Sequence, residues 1–203
     1  DTPGHVDFQY EVSRSLICCE GALLLVDAFQ GVEAQTVANA FLAIEHDLKI
    51  VPAINKIDLQ NARVDEVSEE IEQSLGIDAG ELLLVSGKSG IGITELLDTI
   101  IDRVPAPEGD VNAPLQAMVF DSHYDEYRGA ITYVRIINGT VKRGEKIKFL
   151  RADKTYEVVE LGQFVPQQEA CDQLQAGQVG YLICNIKSLQ TVHVGDTVAS
   201  MTT

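Results

Sequence analysis

The sequence lacks any run of about 18 consecutive apolar residues, the length that a membrane-spanning helix needs. It also lacks a charged start followed by a short apolar segment, which is the pattern of a secretory signal. Its four cysteines, at positions 18, 19, 171 and 184, show no C-x-x-C spacing, so the sequence indicates neither a zinc site nor a redox pair. These absences predict a soluble, cytosolic protein whose thiols are reduced core residues.

Basic residues are also few, since 15 Lys and Arg stand against 31 Asp and Glu, a formal charge of −16. Residues 1–110 hold 6 basic and 21 acidic side chains, whereas residues 111–203 hold 9 and 10. This balance excludes a bulk binder of nucleic acid, because phosphates repel an acidic surface. Any contact with RNA must come from a local patch on the second half or from parts outside this chain.

The first half of the chain alternates regularly between strand and helix patterns. Short apolar runs at residues 22–26, 50–54 and 82–85 are typical of buried parallel strands. Apolar residues spaced three and four apart predict helices around residues 8–19, 37–48, 64–75 and 96–104. The acidic residues within 65–72 are interpreted as a solvated helix face. With right-handed crossovers, the pattern predicts an α/β fold: an open parallel sheet with helices on both faces and a ligand site beyond the strand C-termini.

The pattern changes at a stretch rich in proline. Residues 105–114 hold three of the six prolines and are predicted to link a first domain, residues 1–104, to a second domain, residues 115–203. The second domain contains short β-rich runs punctuated by glycines, which is typical of a small closed β-barrel. Within it, Asn138-Gly139 predicts a hairpin that pairs the strands on either side.

The first five residues, Asp1-Thr2-Pro3-Gly4-His5, directly precede the first helical stretch and are candidate nucleotide-binding residues. The Pro3-Gly4 turn places Gly4 at a helix N-terminus, where an unpaired backbone N–H and the helix dipole attract phosphate. The set fits the terminal phosphate of a nucleotide, with Asp1 near magnesium through water and His5 acting as the catalytic residue that handles the attacking water. Taken alone, the pentapeptide fits a charged surface turn equally well.

A second motif, Asn55-Lys56-Ile57-Asp58, follows the second predicted strand. The Asp58 carboxylate can accept hydrogen bonds from the ring N–H and the exocyclic amine of guanine, which adenine cannot supply from that edge. Asn55 can bridge the other edge of the purine, and the aliphatic stem of Lys56 can cover the ring plane. Without its context, the motif is as consistent with a polar cap between strand and loop.

A third cluster, Ser86-Gly87-Lys88, follows the third predicted strand. It offers a backbone N–H for the guanine oxygen, a Ser86 hydroxyl to hold Asp58, and Lys88 to flank the base. The order of the three clusters predicts binding of GTP or GDP with magnesium. Gly87-Lys88-Ser89 is not the end of a phosphate loop, because Leu82 stands where such a loop needs its first glycine.

These residues resemble the translational GTPases and, among these, the elongation factor 4 (LepA) family. The resemblance covers essentially the whole chain. The signature of the superfamily lies in residues 1–5 and 55–58, and the closer likeness lies in residues 13–16, 19–22, 31–36, 121–122, 134–140 and 194–197.

The resemblance implies a P-loop-type GTPase domain followed by the translation-factor β-barrel called domain II. It further implies a monomeric, ribosome-dependent GTPase that acts during elongation by promoting back-translocation of tRNA. Its partners would be the ribosome directly and tRNA indirectly. The resemblance also implies a cytoplasmic protein that associates peripherally with the inner face of the bacterial membrane.

The chain also departs from the family pattern. Gly87 replaces the usual alanine of the base-binding loop. The phosphate loop would lie before Asp1, so we expect an incomplete sheet without its first strand and a chain that is inactive by itself. The alternatives to an enzyme fragment are a non-catalytic module that binds guanine nucleotide or the ribosome, and a sister factor of the elongation factor G type.

Overall fold

The computed structural model describes residues 9–201 and divides the chain into two compact units, Asp1–Ala106 and Pro107–Thr203. The division falls within the proline-rich stretch of residues 105–114. Helices and strands alternate in the first unit, whereas the second unit is built mainly from strands.

The first unit contains a three-stranded parallel sheet in the order β1-β2-β3. The alternation that the apolar pattern predicts is present, although the third strand spans two residues rather than four. In chain order the elements are α1 Gln9–Leu16, β1 Gly21–Asp27, α2 Ala34–Glu45, β2 Lys49–Asn55, α3 Val64–Leu75, β3 Leu83–Leu84 and α4 Ile93–Arg103.

The central strand β2 is buried on both faces because its side chains alternate between two helices. Ile54 belongs to a buried cluster with Val67 and Ile71 of α3. Val51 belongs to a second buried cluster with Leu96 of α4. Helices α3 and α4 therefore cover opposite faces of the sheet and hold its C-terminal edge in place.

Strand β1 has a partner on one side only. It pairs with β2, and no other strand within residues 9–201 pairs with its second edge. Leu23 and Leu25 of this strand remain 43% and 49% exposed. A groove of about 570 Å³ lies beside the strand, lined by apolar residues that include Val12, Leu16, Ala40 and Ala43.

The second unit contains an eight-stranded sheet in the order β10-β9-β12-β5-β4-β13-β7-β8, together with the pair β11-β6. Neighbouring strands of both sheets are antiparallel. The strands are β4 Gln116–Asp125, β5 Gly129–Asn138, β6 Thr140–Lys142, β7 Lys146–Phe149, β8 Lys154–Glu157, β9 Glu160–Val165, β10 Gln167–Ala170, β11 Gln173–Gln175, β12 Val179–Ile183 and β13 Thr197–Ser200.

The large sheet curls around the main buried cluster of the second unit, which includes Val134, Phe149 and Leu182. Strand β8 lies at one edge and β9 lies beside the opposite edge, yet only Val158 and Val159 separate them. Three Cα–Cα steps span at most about 11 Å, so the two ends of the sheet must meet. Val158 donates its N–H to the carbonyl of Glu145, and Val159 donates to Ile183, on opposite sides of this seam. The β-rich pattern thus produces a barrel.

The predicted hairpin at Asn138-Gly139 is wrong. Strand β6 pairs with β11, with Val141 opposite Leu174, and not with β5. Only Gly139 separates β5 from β6, so no two-residue turn is available. The N–H of Gly139 instead donates to the carbonyl of Asp110, 2.8 Å away. Tertiary packing against the preceding segment therefore overrides the local turn signal.

Cys184 lies inside the barrel core with 4% of its surface exposed. Burial raises the pKa of its thiol to about 12, so almost no reactive thiolate exists at pH 8. We expect iodoacetamide at pH 8 to leave Cys184 unmodified in the native chain and to alkylate it in urea. Exposed Cys19 is the internal control for reagent activity. Peptide mass spectrometry checks the result, and rapid native labelling of Cys184 would contradict its burial.

Candidate functional site

The loops that carry the predicted base-binding residues leave the same edge of the parallel sheet. Asp27 and Asn55 are register partners at the ends of β1 and β2, and Ile54 pairs with Leu84 at the end of β3. Because parallel strands end at one edge, the loops after β2 and β3 are neighbours. Residues 55–58 and 86–88 therefore meet although about 30 positions separate them along the chain.

The Asp58 carboxylate is fixed by Ser86. The Ser86 hydroxyl donates to Asp58 Oδ1 at 2.7 Å and accepts the N–H of Ser89 at 3.1 Å. Ser86 is fully buried, so its hydroxyl is a rigid anchor, whereas Asp58 itself is exposed. Asp58 Oδ2 has no hydrogen-bond partner among residues 9–201. This arrangement presents an oriented carboxylate at the sheet edge.

Asn55 binds the loop after β3. Its Oδ1 accepts the N–H of Gly87 at 3.0 Å, and since only the oxygen of an amide can accept, the Nδ2 group is left to donate. Of the backbone N–H groups of residues 86–88, one of which is expected to serve the guanine oxygen, that of Gly87 is therefore already engaged. The next N–H, that of Lys88, has no hydrogen bond within the described part of the chain. Lys88 itself is exposed in the turn.

Lys56, between the candidate base-binding residues Asn55 and Asp58, has an unusual backbone conformation. Its φ of +66° lies in the left-handed region, which few residues other than glycine adopt. The Lys56 ammonium lies 2.5 Å from Asp27 Oδ2, with the two side chains 54% and 16% exposed. The aliphatic stem of Lys56 is predicted to cover the plane of the purine ring. The ammonium at the end of this side chain is bound to Asp27, the last residue of β1.

Asp27 is a charged group that sequence reasoning missed. Burial raises its pKa, but hydrogen bonds from Lys56 and from the N–H groups of Phe29 and Gln30 outweigh burial, and the net pKa is lowered. Its Oδ1 accepts these N–H groups at 2.8 and 3.2 Å. Asp27 is consequently a carboxylate at neutral pH. The sequence signal that could have identified Asp27 is its position, because Asp27 is the last residue of the first strand as Asn55 is the last residue of the second.

The segment after Asp27, residues 28–32, is bound by Arg63, which precedes α3, and by Glu70 of α3. Arg63 donates its side-chain N–H to the carbonyl of Phe29 at 2.9 Å, and its backbone N–H to the carbonyl of Ala28 at 2.8 Å. Glu70 Oε2 accepts the N–H of Val32 at 2.9 Å. The interpretation of residues 65–72 as a purely solvated face is therefore wrong for Glu70, whose carboxylate stabilises a loop.

The phosphate-binding candidates Asp1, Thr2, Pro3, Gly4 and His5 lie outside the described residues, as does the predicted magnesium ligand Asp1. Within residues 9–201, no group of three or more His, Cys, Asp or Glu side chains is arranged to hold a metal ion. None of the described helices is long and apolar enough to cross a membrane. The described part of the chain therefore contains the candidate base-binding residues only.

Two family models match separate parts of the chain. The model of the elongation factor Tu GTP-binding domain matches residues 1–106, and that of elongation factor Tu domain 2 matches residues 129–199. The chain belongs to the elongation factor Tu GTP-binding domain family. The predicted order of a translational GTPase domain followed by domain 2 is confirmed.

Individual members of this family are similar over almost the whole chain. Elongation factor 4 1 of Rhodopirellula baltica is 71% identical over 98% of this chain and 33% of its own length. Elongation factor 4 of Clostridium novyi is 57% identical over 98% of this chain, and that of Thermotoga maritima 56% over the same share. The resemblance to elongation factor 4 is confirmed. The chain spans about a third of the length of the curated relatives it matches.

Gly87, where the resemblance to the family leads us to expect an alanine, has room for a side chain. A Cβ at this position would meet only Asn55 Oδ1, at 3.9 Å. We expect Gly87→Ala to stabilise the chain by about 0.4–1 kcal/mol through a less flexible unfolded state and to change nucleotide affinity less than about twofold. Urea denaturation and fluorescent GDP titration of the complete gene product check these values.

The matched control is Gly92→Ala, five residues further along the chain. Gly92 has a φ of +68°, and a Cβ there would lie 2.3 Å from the carbonyl oxygen of Leu84. This substitution should destabilise by about 1–3 kcal/mol. A Gly87→Ala variant that lost stability or affinity as severely would contradict the observed shape of the loop.

Proposed function

We propose that the protein containing this chain is a ribosome-dependent GTPase of the elongation factor 4 type. It binds GTP and GDP and hydrolyses GTP on the ribosome during elongation. The observation that carries the proposal is the exposed Asp58 carboxylate, fixed at 2.7 Å by buried Ser86 beside the Asn55 amide. The family match and the relatives named elongation factor 4 support the same function.

Guanine selection follows from the polarity of these groups. Asp58 accepts the ring N–H and the exocyclic amine of guanine, and adenine would leave the carboxylate unpaired. The Asn55 Nδ2 group donates to the opposite edge of the purine, because its Oδ1 is bound to Gly87. The N–H of Lys88 is the donor available to the guanine oxygen. The stem of Lys56 packs along the base plane.

At the phosphate end, the proposed roles fall on residues outside the described part of the chain. In this proposal Thr2, Pro3 and Gly4 contact the terminal phosphate, and the N–H of Gly4, in the Pro3-Gly4 turn that the sequence predicts, donates to it. Asp1 would hold magnesium through water, and magnesium there would supply positive charge against the charge that develops on the phosphates. His5 orients the attacking water.

The division of labour along the chain is part of the proposal. Residues 1–104 form the later part of the GTP-binding domain, residues 105–114 the linker, and residues 115–203 the domain II barrel, which docks on the ribosome. The protein acts as a monomer, contacts tRNA indirectly and promotes back-translocation. It resides in the cytoplasm and associates peripherally with the inner face of the bacterial membrane.

The test is nucleotide binding and turnover by the complete gene product. We expect GDP and GTP to bind at least 100-fold more tightly than ADP and ATP, because adenine offers no donors to the Asp58 carboxylate and leaves it unpaired, an effect of about 3 kcal/mol. Ribosomes should stimulate GTP hydrolysis. Equal binding of adenine nucleotides would overturn the proposal, whereas guanine binding without any ribosome-stimulated hydrolysis would favour a non-catalytic binding module.

A further inference from the structure

Asp27 connects two of the loops that leave the C-terminal edge of the sheet. It is the last residue of β1 and the register partner of Asn55, the last residue of β2. Immediately after this pair, the N–H of Ala28 donates to the carbonyl of Asn55 at 2.8 Å. The base-reading loop therefore begins at a point where β1 and β2 are still bound to each other.

The next residue, Lys56, turns the chain between the two purine-reading side chains. Its left-handed backbone, with φ +66°, is strained for a lysine and persists only where the surroundings hold it. The contact that holds its side chain is the ion pair with Asp27, 2.5 Å from nitrogen to oxygen. Asn55 and Asp58 lie on either side of this turn, so their relative orientation depends on it.

The carboxylate of Asp27 is also held in place by contacts other than the one with Lys56. One oxygen accepts the N–H groups of Phe29 and Gln30, and the other faces the ammonium. Arg63 supports this segment through the carbonyls of Ala28 and Phe29. The Asp27 side chain is 16% exposed and that of Lys56 is 54% exposed, so water reaches the ammonium while the carboxylate is largely shielded.

We propose that Asp27 is a positioning residue for guanine nucleotides, which acts through Lys56 to hold the turn that aligns Asn55 with Asp58. This inference rests on the proposed nucleotide-binding function. Asp27 does not read the base, and its effect should therefore be on affinity for every nucleotide that the site accepts. The choice between guanine and xanthine stays with Asp58.

The experiment uses the complete gene product and titrations with fluorescent GDP and with XDP. Asp27→Asn keeps an acceptor for the two N–H groups but removes the charge that binds Lys56. We expect GDP affinity to fall about 10-fold while the ratio of GDP to XDP affinity stays within twofold. Asp98→Asn, the same change at an exposed position of α4, should leave both quantities unchanged.

A double-mutant cycle separates positioning from a general loss of stability. In a Lys56→Met background, Asp27→Asn should cost less than twofold in GDP affinity, because the partner through which Asp27 acts is already gone. Additive losses, or a loss of affinity that follows the thermal unfolding temperature of each variant instead of the pairing, would overturn the proposal. Restoration of at least half of the affinity by Asp27→Glu would support it.

Failure of this inference differs from failure of the proposed function. If the unsubstituted protein binds GDP and Asp27→Asn binds it equally well, only the role of Asp27 is wrong. If the unsubstituted protein binds no guanine nucleotide, both the proposed function and the positioning role are overturned.

Discussion

Asp58→Asn should exchange the guanine preference of the complete gene product for a xanthine preference. An asparagine side chain offers one acceptor and one donor where guanine presents two donors, so one charged hydrogen bond is lost and one donor faces another. The loss for GTP should be about 1.5–3 kcal/mol, or roughly 10- to 150-fold in affinity. Xanthine carries an oxygen in place of the exocyclic amine and regains a hydrogen bond with the new side chain.

Competition binding with GTP and XTP measures this exchange. The anchoring bond can survive the substitution, since the Ser86 hydroxyl can donate to an amide oxygen as it donates to Asp58 Oδ1. Asp65→Asn on the exposed face of α3 is the matched control and should alter neither affinity. Unchanged selectivity in a folded Asp58→Asn protein would refute the assignment of Asp58 as the base-reading residue.

His5→Ala should slow GTP hydrolysis on the ribosome by about 10²- to 10⁴-fold, the usual contribution of a group that positions or activates a water. The affinity for GTP should change little, because the proposed role concerns the attacking water and not the bound phosphates. Single-turnover hydrolysis with the complete gene product and saturating ribosomes isolates the chemical step from product release.

The comparison for this variant is His46→Ala at the end of α2. His46 Nε2 lies 3.4 Å from the Ser13 hydroxyl, a weak contact whose loss should leave turnover within a few-fold. If His5→Ala retained full ribosome-stimulated turnover, His5 would be no more than a turn residue. A loss of GTP binding of the same size as the loss of rate would equally contradict a role confined to the water.

The sequence predicts the helices and strands of the first unit, because these elements depend on residues that are close together in the chain. Residues such as Val67 and Ile71 repeat at helical spacing, and the apolar run around Ile54 has the length of a buried strand, so each element follows from a few neighbouring side chains. The meeting of Asp58 with Ser86 also follows, because parallel strands bring their C-terminal loops to one edge.

The contacts that the sequence does not predict are those between residues that are distant in the chain. Periodicity assigns Glu70 to the outer face of α3, but it cannot reveal that the N–H of Val32 lies beside that face. The pairing of Lys56 with Asp27 depends likewise on the path of two loops. Gly139 is a typical turn residue, but its backbone hydrogen bonds are made with Asp110 and Ala176, which are distant in the sequence. Such contacts arise from packing, which overrides local preference.

The position of β13 in the barrel has a consequence for synthesis. This strand, Thr197–Ser200, lies between β4 and β7. Met118 of β4 and Phe149 of β7 therefore pair with a strand that is synthesised about 50 to 80 residues after them. The β4–β5 hairpin can form as soon as it leaves the ribosome, since its pairing is local. At about 5–20 residues per second, its outer edge stays open for several seconds while the remaining strands are made. During that interval, the unpaired edge of β4 is able to pair with a strand of another chain.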